Sequence, residues 1–336
     1  MKKLLIVSLT IIVFIACKKT DDNAKPYITT HTINWMQDLI AEYPDSTITL
    51  KKIAMPRAHD AGMYEVNECI GGNACNTQTQ NRDMTSMLES GIRVFDVRPV
   101  YENGVFWTFH KTECGQYGFG CNGVALKSFL EQTKTFLDTH SELVILELDK
   151  FCNTSPEDVA FLDLLNTTLG SRIYKETTAQ TGLFINKPLK DILIDGGKVV
   201  LLMKGIQVED KAQGYFAVNF INKKGSYADK PYLAEMKADQ LSKFQNYNPS
   251  SSNMFAIYWT QTMDNALAVT CLGAEKNPLT IEDITKDATA NLAISIDEWI
   301  GNGTIVKNKI PNIISVDFAS TLVTEQCIKV SKFNLE

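Results

Sequence analysis

The sequence predicts an α/β fold in one domain, a (β/α)8-type closed barrel, and two observations support this prediction. Short apolar runs rich in β-branched residues alternate with segments of helical periodicity along most of the chain. Eight strand-like runs occur, the number that closes such a barrel: 49–55, 92–98, 105–110, 143–149, 198–204, 216–220, 254–260 and 312–318. Periodicity alone leaves a doubly wound open sheet as the competing fold.

The segments between the strand-like runs carry helix signals. Met84, Met87 and Leu88 have helical spacing within 83–90, and Gly91 follows where a glycine commonly ends a helix. Further helical patterns cover 125–140, 231–246 and 288–300. Strands and helices therefore alternate, as the barrel requires.

Composition and charge exclude several classes of protein. The 336 residues are 44% hydrophobic, which is enough apolar side chain to bury a large core and excludes a disordered chain. Lys and Arg number 33 against 39 Asp and Glu, a net charge of −6. Because affinity for a phosphate backbone comes from clustered basic residues, nucleic acid is not an expected partner. No CxxC motif is paired with another or with histidines, so we expect no zinc site.

The first 16 residues have the features of an export signal. Lys2 and Lys3 precede an apolar or hydroxyl-bearing run of 13 residues at 4–16, which is short for a membrane span. The run ends in FIAC at 14–17, which resembles a bacterial lipobox; an ordinary signal peptide followed by a cysteine is the alternative. We therefore expect Cys17 to carry a lipid.

The residues after Cys17 divide into a tether and a folded domain. Residues 17–30 are polar and lack periodicity, and the domain is predicted to cover 31–336. The lysine and acidic residues after Cys17 resemble surface-export signals of some Gram-negative lipoproteins. We expect an exported lipoprotein at the outer membrane or cell surface of a Gram-negative bacterium.

Seven cysteines follow Cys17, and thiols outside the cytoplasm tend to pair. Two short segments that contain glycines predict local disulfides, Cys69–Cys75 and Cys114–Cys121. The other three cysteines are predicted to be buried thiols: Cys152, Cys271 and Cys327.

Two of the four histidines are candidates for catalysis. His59 comes directly after a strand-like run and His110 ends another, and the carboxyl ends of barrel strands line the catalytic mouth. A pair of imidazoles there can take a proton from a nucleophile and give one to a leaving group. His31 and His140 are predicted to be structural or exposed.

Charged residues also gather at the predicted strand ends. Asp96 and Arg98 are two residues apart and therefore project to the same side of one strand, where an arginine fork can hold a phosphate. Four more charged residues end other strands: Glu147, Asp149, Lys204 and Asp317. An interior salt bridge is the alternative for the first pair, but the whole set predicts a pocket for an anionic substrate.

About a hundred residues, 53–150, resemble the X-domain of the phosphatidylinositol-specific phospholipase C family. The matching motifs are apolar-Pro-x-x-His-Asp-x-Gly at 55–62, Gly-x-Arg-x-Phe-Asp-x-Arg at 91–98, and a third strand that ends in His110. Segments 197–202 and 311–318 resemble later strands of bacterial members. The resemblance implies a distorted (β/α)8 barrel that cleaves phosphodiesters with two histidines.

The resemblance also implies a role for each residue of the site. His59 is the general base on the inositol 2-hydroxyl, and Asp317 orients and charges it. Arg98 neutralises the phosphoryl oxygens, while His110, partnered by Asp60, protonates the diacylglycerol oxygen.

Three further residues are expected to support this site. Asp96 supports the network, and Lys204 falls where bacterial members place a basic contact to the inositol hydroxyls. Asp149 stands where bacterial members often carry a lysine toward the inositol, which leaves the headgroup open between phosphatidylinositol and a glycosylated form. We expect a monomer that acts on membrane surfaces containing phosphatidylinositol.

Neither a metal nor another cofactor is expected. In calcium-dependent relatives the second strand ends in a carboxylate that helps to hold the ion, and this chain has Arg98 there. A guanidinium at that point supplies positive charge beside the phosphate and repels a second cation. The nearby carboxylates could alternatively form an oxygen-ligand site.

Two other functions remain as alternatives. A glycerophosphodiester phosphodiesterase normally needs a His-Arg-Gly motif and a carboxylate cluster soon after, which 58–62 does not supply. A non-catalytic surface module that binds inositol phosphates or glycans is the other alternative. The joint presence of His59, His110, Arg98 and Asp317 favours the enzyme.

Overall fold

The computed structural model describes residues 32–114, 118–176 and 182–336. The predicted export signal, Cys17, the tether and His31 lie outside these residues. Within the described ranges, no helix is both long and apolar enough to cross a membrane.

The apolar runs form strands that are mostly four to six residues long. In chain order they are β1 (Met55–Ala58), β2 (Asn67–Ile70), β3 (Val94–Val97), β4 (Pro99–Glu102), β5 (Val105–Lys111), β6 (Gly120–Ala125), β7 (Leu143–Leu148), β8 (Lys198–Met203), β9 (Tyr215–Ala217), β10 (Lys223–Lys224), β11 (Met254–Trp259) and β12 (Ile313–Val316).

The predicted helical segments are helices, with ends within about two residues of the expected ones. The α-helices are α1 (Trp35–Glu42), α2 (Ala74–Thr77), α3 (Met84–Glu89), α4 (Leu126–Thr139), α5 (Val159–Leu169), α6 (Leu189–Ile192), α7 (Leu233–Gln245), α8 (Asn265–Val269), α9 (Ile281–Thr285), α10 (Ala288–Gly301) and α11 (Thr321–Leu335). Asp83 caps α3 by accepting a hydrogen bond from the Ser86 N–H, which fixes the start of that helix.

Eight parallel strands form a curled sheet in the order β10-β11-β12-β1-β3-β7-β8-β9. This sheet and its surrounding helices confirm the distorted (β/α)8 barrel. The barrel is open between β9 and β10, which are the two edge strands of this order. The closed barrel expected from periodicity is therefore replaced by an incomplete one.

The run 105–110 was expected to be a barrel strand, and this expectation is wrong. It forms β5 of a second, antiparallel sheet with the order β2-β6-β5-β4. Asn103 and Gly104 join β4 to β5 and both have positive φ, of 53° and 80°. A two-residue Asn-Gly connection of this kind favours a hairpin, so the local turn decides the pairing.

The run 49–55 also differs from its prediction. Leu50–Lys52 form a single 3-10 turn, and only Met55 belongs to the strand. The turn packs with α1 at the amino end of the barrel, where Leu50 and Trp35 are both buried in one apolar cluster. Hydrophobic residues here close the barrel floor instead of extending a strand.

The barrel interior changes from apolar to charged along the strands. Met55, Val94 and Ile145 are buried in the same cluster as α1. Two positions further along β3 and β7, Asp96 and Glu147 are paired in register, and both side chains are buried. Because side chains alternate along a strand, the charged residues occupy the same inner face, nearer the carboxyl ends.

Both predicted disulfides are wrong. Cys69 is bonded to Cys121 and Cys75 to Cys271, at Cα–Cα distances of 4.1 and 5.7 Å. Antiparallel pairing of β2 with β6 places Cys69 directly opposite Cys121, a register that sequence spacing does not show. The prediction of a thiol at Cys271 is therefore also wrong.

The other cysteines differ in burial. Cys152 and Cys327 are both buried, as expected, and Cys327 lies in the main core cluster. Cys114 is exposed and is not part of a disulfide.

An ion pair at the amino end of the barrel is completely buried. Arg93 Nε lies 2.9 Å from Glu142 Oε2, and neither side chain is exposed. Glu142 also accepts hydrogen bonds from the backbone N–H groups of Met36 and Gln37 in the first turn of α1. The carboxylate therefore joins α1 to the barrel.

We expect Glu142→Ala to lower the free energy of unfolding by about 3–5 kcal/mol, because it leaves the Arg93 charge buried without a partner. Urea unfolding followed by circular dichroism measures this change. Glu131→Ala is the matched control, since Glu131 pairs with Lys127 on the surface and should cost less than about 1 kcal/mol. Equal midpoints for the two variants would contradict the role of the buried pair.

Candidate active site

The site lies at the carboxyl ends of the barrel strands. His59 follows β1, Arg98 follows β3 and Asp317 follows β12, and these three strands are neighbours in the sheet. His110 comes from β5 of the antiparallel sheet. The barrel and the antiparallel sheet thus meet at the site.

Several strands end in the same backbone conformation. Asp60, Lys150 and Phe318 each lie two residues after a strand and have positive φ, of 41°, 51° and 48°. This region is rare for residues other than glycine and costs energy that the surroundings must offset. The turn after β1 brings the buried Asp60 carboxylate beside His59.

His59 is held between a carboxylate and a guanidinium. Its Nδ1 lies 2.8 Å from Asp317 Oδ1, and its Nε2 lies 3.1 Å from Arg98 Nη2. Nε2 also lies 3.6 Å from Asp60 Oδ2. The imidazole is therefore oriented through Nδ1, and Nε2 is directed to the place where Arg98 can hold an anion.

Arg98 contacts two carboxylates, those of Asp60 and Asp96. Its Nε is paired with Asp60, and its Nη2 lies 3.5 Å from Asp96 Oδ2. The side chain is almost fully buried, and the two carboxylates raise its pKa against the opposing effect of burial. Arg98 is thus a fixed positive charge at the base of the cavity.

His110 contacts Asp60 from β5 of the antiparallel sheet. Its Nδ1 lies 3.4 Å from Asp60 Oδ2 and donates a hydrogen bond to the carbonyl of Thr77 at 3.1 Å. Both imidazoles therefore approach the same carboxylate oxygen. Nε2 is the nitrogen of His110 left to act on a ligand.

The two histidines have opposite pKa shifts. Burial opposes the charged form of His59, but Asp60 and Asp317 outweigh it and raise its pKa. Burial lowers the pKa of His110 to about 4, with further lowering by Arg98 and His59 against the opposing effect of Asp60. Around neutral pH the first imidazole is the readier to hold a proton.

A second group of charges lies beneath the site, and sequence reasoning missed most of it. Arg57 Nε lies 2.7 Å from Glu147 Oε2, and its Nη2 lies 3.4 Å from Asp96 Oδ2. Lys223 completes the group by pairing with Glu147. Arg57 is not among the residues predicted for the site, because the strand-like run was expected to end at Met55, whereas β1 continues to Ala58.

Tyr227 is a further residue of the site that the sequence did not predict. Its hydroxyl lies 3.3 Å from Asp96 Oδ2, and its ring centroid lies 5.2 Å from that of His59. It follows β10 in a segment without periodicity, so no pattern indicated it.

Asp149 and Lys204 are not brought together with the other predicted residues. Lys204 Nζ lies 3.0 Å from Asp149 Oδ2, and this pair is largely exposed. Neither residue lines the cavity above the histidines, whereas the neighbouring Lys150 does. Their expected contact with substrate stays a prediction.

A cavity of about 540 Å³ opens above the two histidines. Buried or half-buried residues of its lining include His59, Arg98, His110, Lys111, Tyr227 and Asp317, and exposed residues of the lining form its rim: Phe119, Lys150, Asp229, Val269 and Leu272. A ligand with a negative group near Arg98 and a larger body toward the rim fits this distribution.

His59, Asp60 and Asp96 could together offer three ligand atoms to a metal, since these atoms lie within 4.8 Å of one another. The Arg98 guanidinium, however, contacts all three side chains. Its charge stands among the ligand atoms and opposes the binding of a cation.

Comparison with solved structures finds bacterial enzymes with the same fold. The phosphatidylinositol-specific phospholipase C of Listeria monocytogenes has a TM-score of 0.62 and 18% identity, and that of S. aureus has 0.61 and 17%. Each comparison covers 89% of this chain and 98% of the other. No protein-family model and no curated protein matches the chain. The likeness establishes the fold and leaves the activity to be argued from the site.

We expect Asp317→Asn to lower the pKa of His59, because it removes a carboxylate that favours the imidazolium. NMR titration of the histidine ring protons measures this, and in the unmodified chain His110 should titrate near pH 4. Asp297→Asn is the matched control, since Asp297 forms an exposed pair with Lys329 and has no contact with His59. An unchanged His59 titration in Asp317→Asn would contradict the assigned contact.

Proposed function

We propose that the chain cleaves phosphatidylinositol, or a glycosylated form of it, to diacylglycerol and inositol 1,2-cyclic phosphate. The observation that carries this proposal is the placement of His59 and His110 about the buried carboxylate of Asp60, which also pairs with Arg98 in the lining of the cavity. The likeness to bacterial phosphatidylinositol-specific phospholipases C supports it.

His59 is the general base of the proposed reaction. It takes the proton of the inositol 2-hydroxyl on Nε2, while Asp317 holds Nδ1 and stabilises the imidazolium that forms. The hydroxyl oxygen then attacks phosphorus and forms the new P–O bond of a five-membered ring. Because the nucleophile belongs to the substrate, the attack is intramolecular.

His110 is the general acid. As the bond from phosphorus to the glycerol oxygen breaks, Nε2 of His110 gives its proton to that oxygen, and diacylglycerol leaves. Arg98 faces the phosphoryl oxygens and stabilises the charge that develops on them. Asp60 keeps Arg98 and His110 in place.

Binding of the phosphodiester prepares His110 for this step. In the free chain Arg98 and His59 contribute to the lowered pKa of His110. A bound phosphodiester adds negative charge beside Arg98, which offsets this effect and favours the protonated imidazole. The acid is therefore charged when its substrate is present.

We expect His59→Ala and His110→Ala each to lower turnover by ~10²-fold or more, because each removes one proton transfer that the other cannot supply. Phosphatidylinositol vesicles with phosphorus NMR detection measure both the rate and the cyclic product. His140→Ala is the matched control, since His140 stacks on Phe136 at the end of α4.

The same assay separates the three candidate functions. With glycerophosphoinositol in place of the vesicles, release of glycerol phosphate would indicate a glycerophosphodiester phosphodiesterase, and binding without turnover of either substrate would indicate a non-catalytic module. Retention of more than about a tenth of the activity by either histidine variant would reject the two-histidine assignment.

We expect activity to survive EDTA, because Arg98 supplies the positive charge that a metal would otherwise provide. Arg98→Asp should lose most activity and regain part of it with added calcium, since the substitution replaces the guanidinium with an oxygen ligand. Complete inactivation by EDTA that calcium alone reverses would show that the reaction needs a metal.

We also propose that the chain is an exported lipoprotein anchored through Cys17, as the FIAC segment at 14–17 suggests. Cys17→Ala should release the protein from the membrane fraction and abolish labelling by a radioactive fatty acid, while Cys114→Ser should change neither. Fractionation of the producing cells measures this. Label that persists in Cys17→Ala would place the lipid elsewhere.

A further inference from the structure

His110 is the catalytic candidate that does not come from the barrel. It lies on β5 of the antiparallel sheet, whereas His59, Arg98 and Asp317 follow barrel strands whose parallel hydrogen bonds fix them. Something other than the barrel must therefore hold His110 in register with the rest of the site.

The first disulfide fixes the strand beside His110. In the ladder between β5 and β6, His110 lies opposite Cys121, which is bonded to Cys69 of β2. A Cβ on Gly120 would lie 2.1 Å from the His110 carbonyl oxygen, so the two strands are in close backbone contact here. A shift of β6 would therefore move His110.

The second disulfide fixes the acceptor of the His110 hydrogen bond. Cys75 lies in α2 and is bonded to Cys271 in the turn after α8. Asn73, the N-cap residue of α2, donates its side-chain amide to the Cys271 carbonyl at 2.8 Å. Thr77, the last residue of α2, offers its carbonyl to His110 Nδ1.

The segment between the two disulfide-bonded residues Cys69 and Cys75 packs against β6, the strand next to His110. A Cβ on Gly72 would lie 2.8 Å from the Cα of Gly120, which precedes Cys121. The chain from Cys69 to Cys75 is thus covalently attached at both ends and lies on the strand next to His110.

We propose that Cys69–Cys121 and Cys75–Cys271 are positioning groups for His110, which fix its strand and the carbonyl that orients its ring. The inference rests on the proposed function and adds that the two proton transfers depend on different parts of the structure. Proton donation to the leaving group depends on the oxidised cysteines. Proton abstraction by His59 depends on the barrel and does not.

The division can be tested with two substrates that differ in their leaving group. Phosphatidylinositol releases an alkoxide that needs the proton of His110, whereas a nitrophenyl ester of inositol phosphate releases a phenolate that needs none. Cys75→Ser with Cys271→Ser, and separately Cys69→Ala with Cys121→Ala, should lower kcat on phosphatidylinositol by ~10-fold or more. Both double variants should keep most of their activity on the nitrophenyl ester.

Cys114→Ser is the matched control, since Cys114 lies close to this sheet and forms no disulfide. It should behave as the unmodified chain does on both substrates. Mild reduction of the folded chain by dithiothreitol repeats the comparison without substitutions, in case a double variant does not fold.

NMR titration of His110 gives a readout that needs no turnover. Breaking the disulfides should expose the His110 ring to water and remove part of the effect of burial, so the pKa of His110 should rise from about 4 toward its ordinary value. The charged groups that face the ring, Asp60, Arg98 and His59, are the same in every variant. The His59 titration should not move. If the unmodified chain has no activity on either substrate, the proposed function is rejected, and the titration of His110 still tests the positioning role.

Three outcomes would reject the positioning role. They are equal losses on both substrates, no loss on either substrate, and an unchanged His110 titration after both disulfides are broken. Each can be read from the same set of variants.

Discussion

The buried carboxylate of Asp60 is the interaction on which the rest of the site depends. It pairs with Arg98 Nε, and one of its oxygens lies within 3.6 Å of His59 and 3.4 Å of His110. A carboxylate removed from water is costly unless several partners compensate for it. Its partners are therefore held close to one another, and a site with two imidazoles and a guanidinium results.

The charges below Asp60 follow from the same constraint. Asp96 is shared by Arg57 and Arg98, and Glu147 is shared by Arg57 and Lys223. Asp96 and Glu147 thus each have two cationic partners. Burial alone would raise the carboxylate pKa values, yet these neighbours lower them for Asp96 and Glu147. The apolar residues nearer the barrel floor exclude water from this layer.

The features that could be predicted from the sequence are those that depend on the spacing of residues within one strand or one helix. The two-residue separation of Asp96 and Arg98 directed both side chains to the same side at the end of β3, and the helical spacing within 83–90, followed by Gly91, bounded α3 within a residue or so. The sequence could not predict the disulfides, because the pairing of Cys69 with Cys121 depends on the register of β2 against β6.

The remaining differences have the same physical origin. The run 105–110 has the composition of a barrel strand, and only its antiparallel partners assign it elsewhere. Tyr227 reaches the site from a loop, and Arg57 is compatible with a buried strand only because Glu147 and Asp96 face it. Partners distant in sequence decide each case.

The balance of charge links the two histidines to the substrate. The buried cations of this layer are Arg57, Arg98 and Lys223, and the carboxylates are Asp60, Asp96, Glu147 and Asp317. One negative charge is left over, which makes His59 the stronger proton acceptor of the two imidazoles, in accord with its raised pKa. Burial, together with the nearby Arg98 and His59, opposes a proton on His110, in accord with its lowered pKa. A phosphodiester brings one negative charge of its own, so the proton on His110 becomes favourable only when a substrate occupies the cavity. The charge of the bound phosphodiester therefore favours the protonated form of His110, the residue that protonates the leaving group.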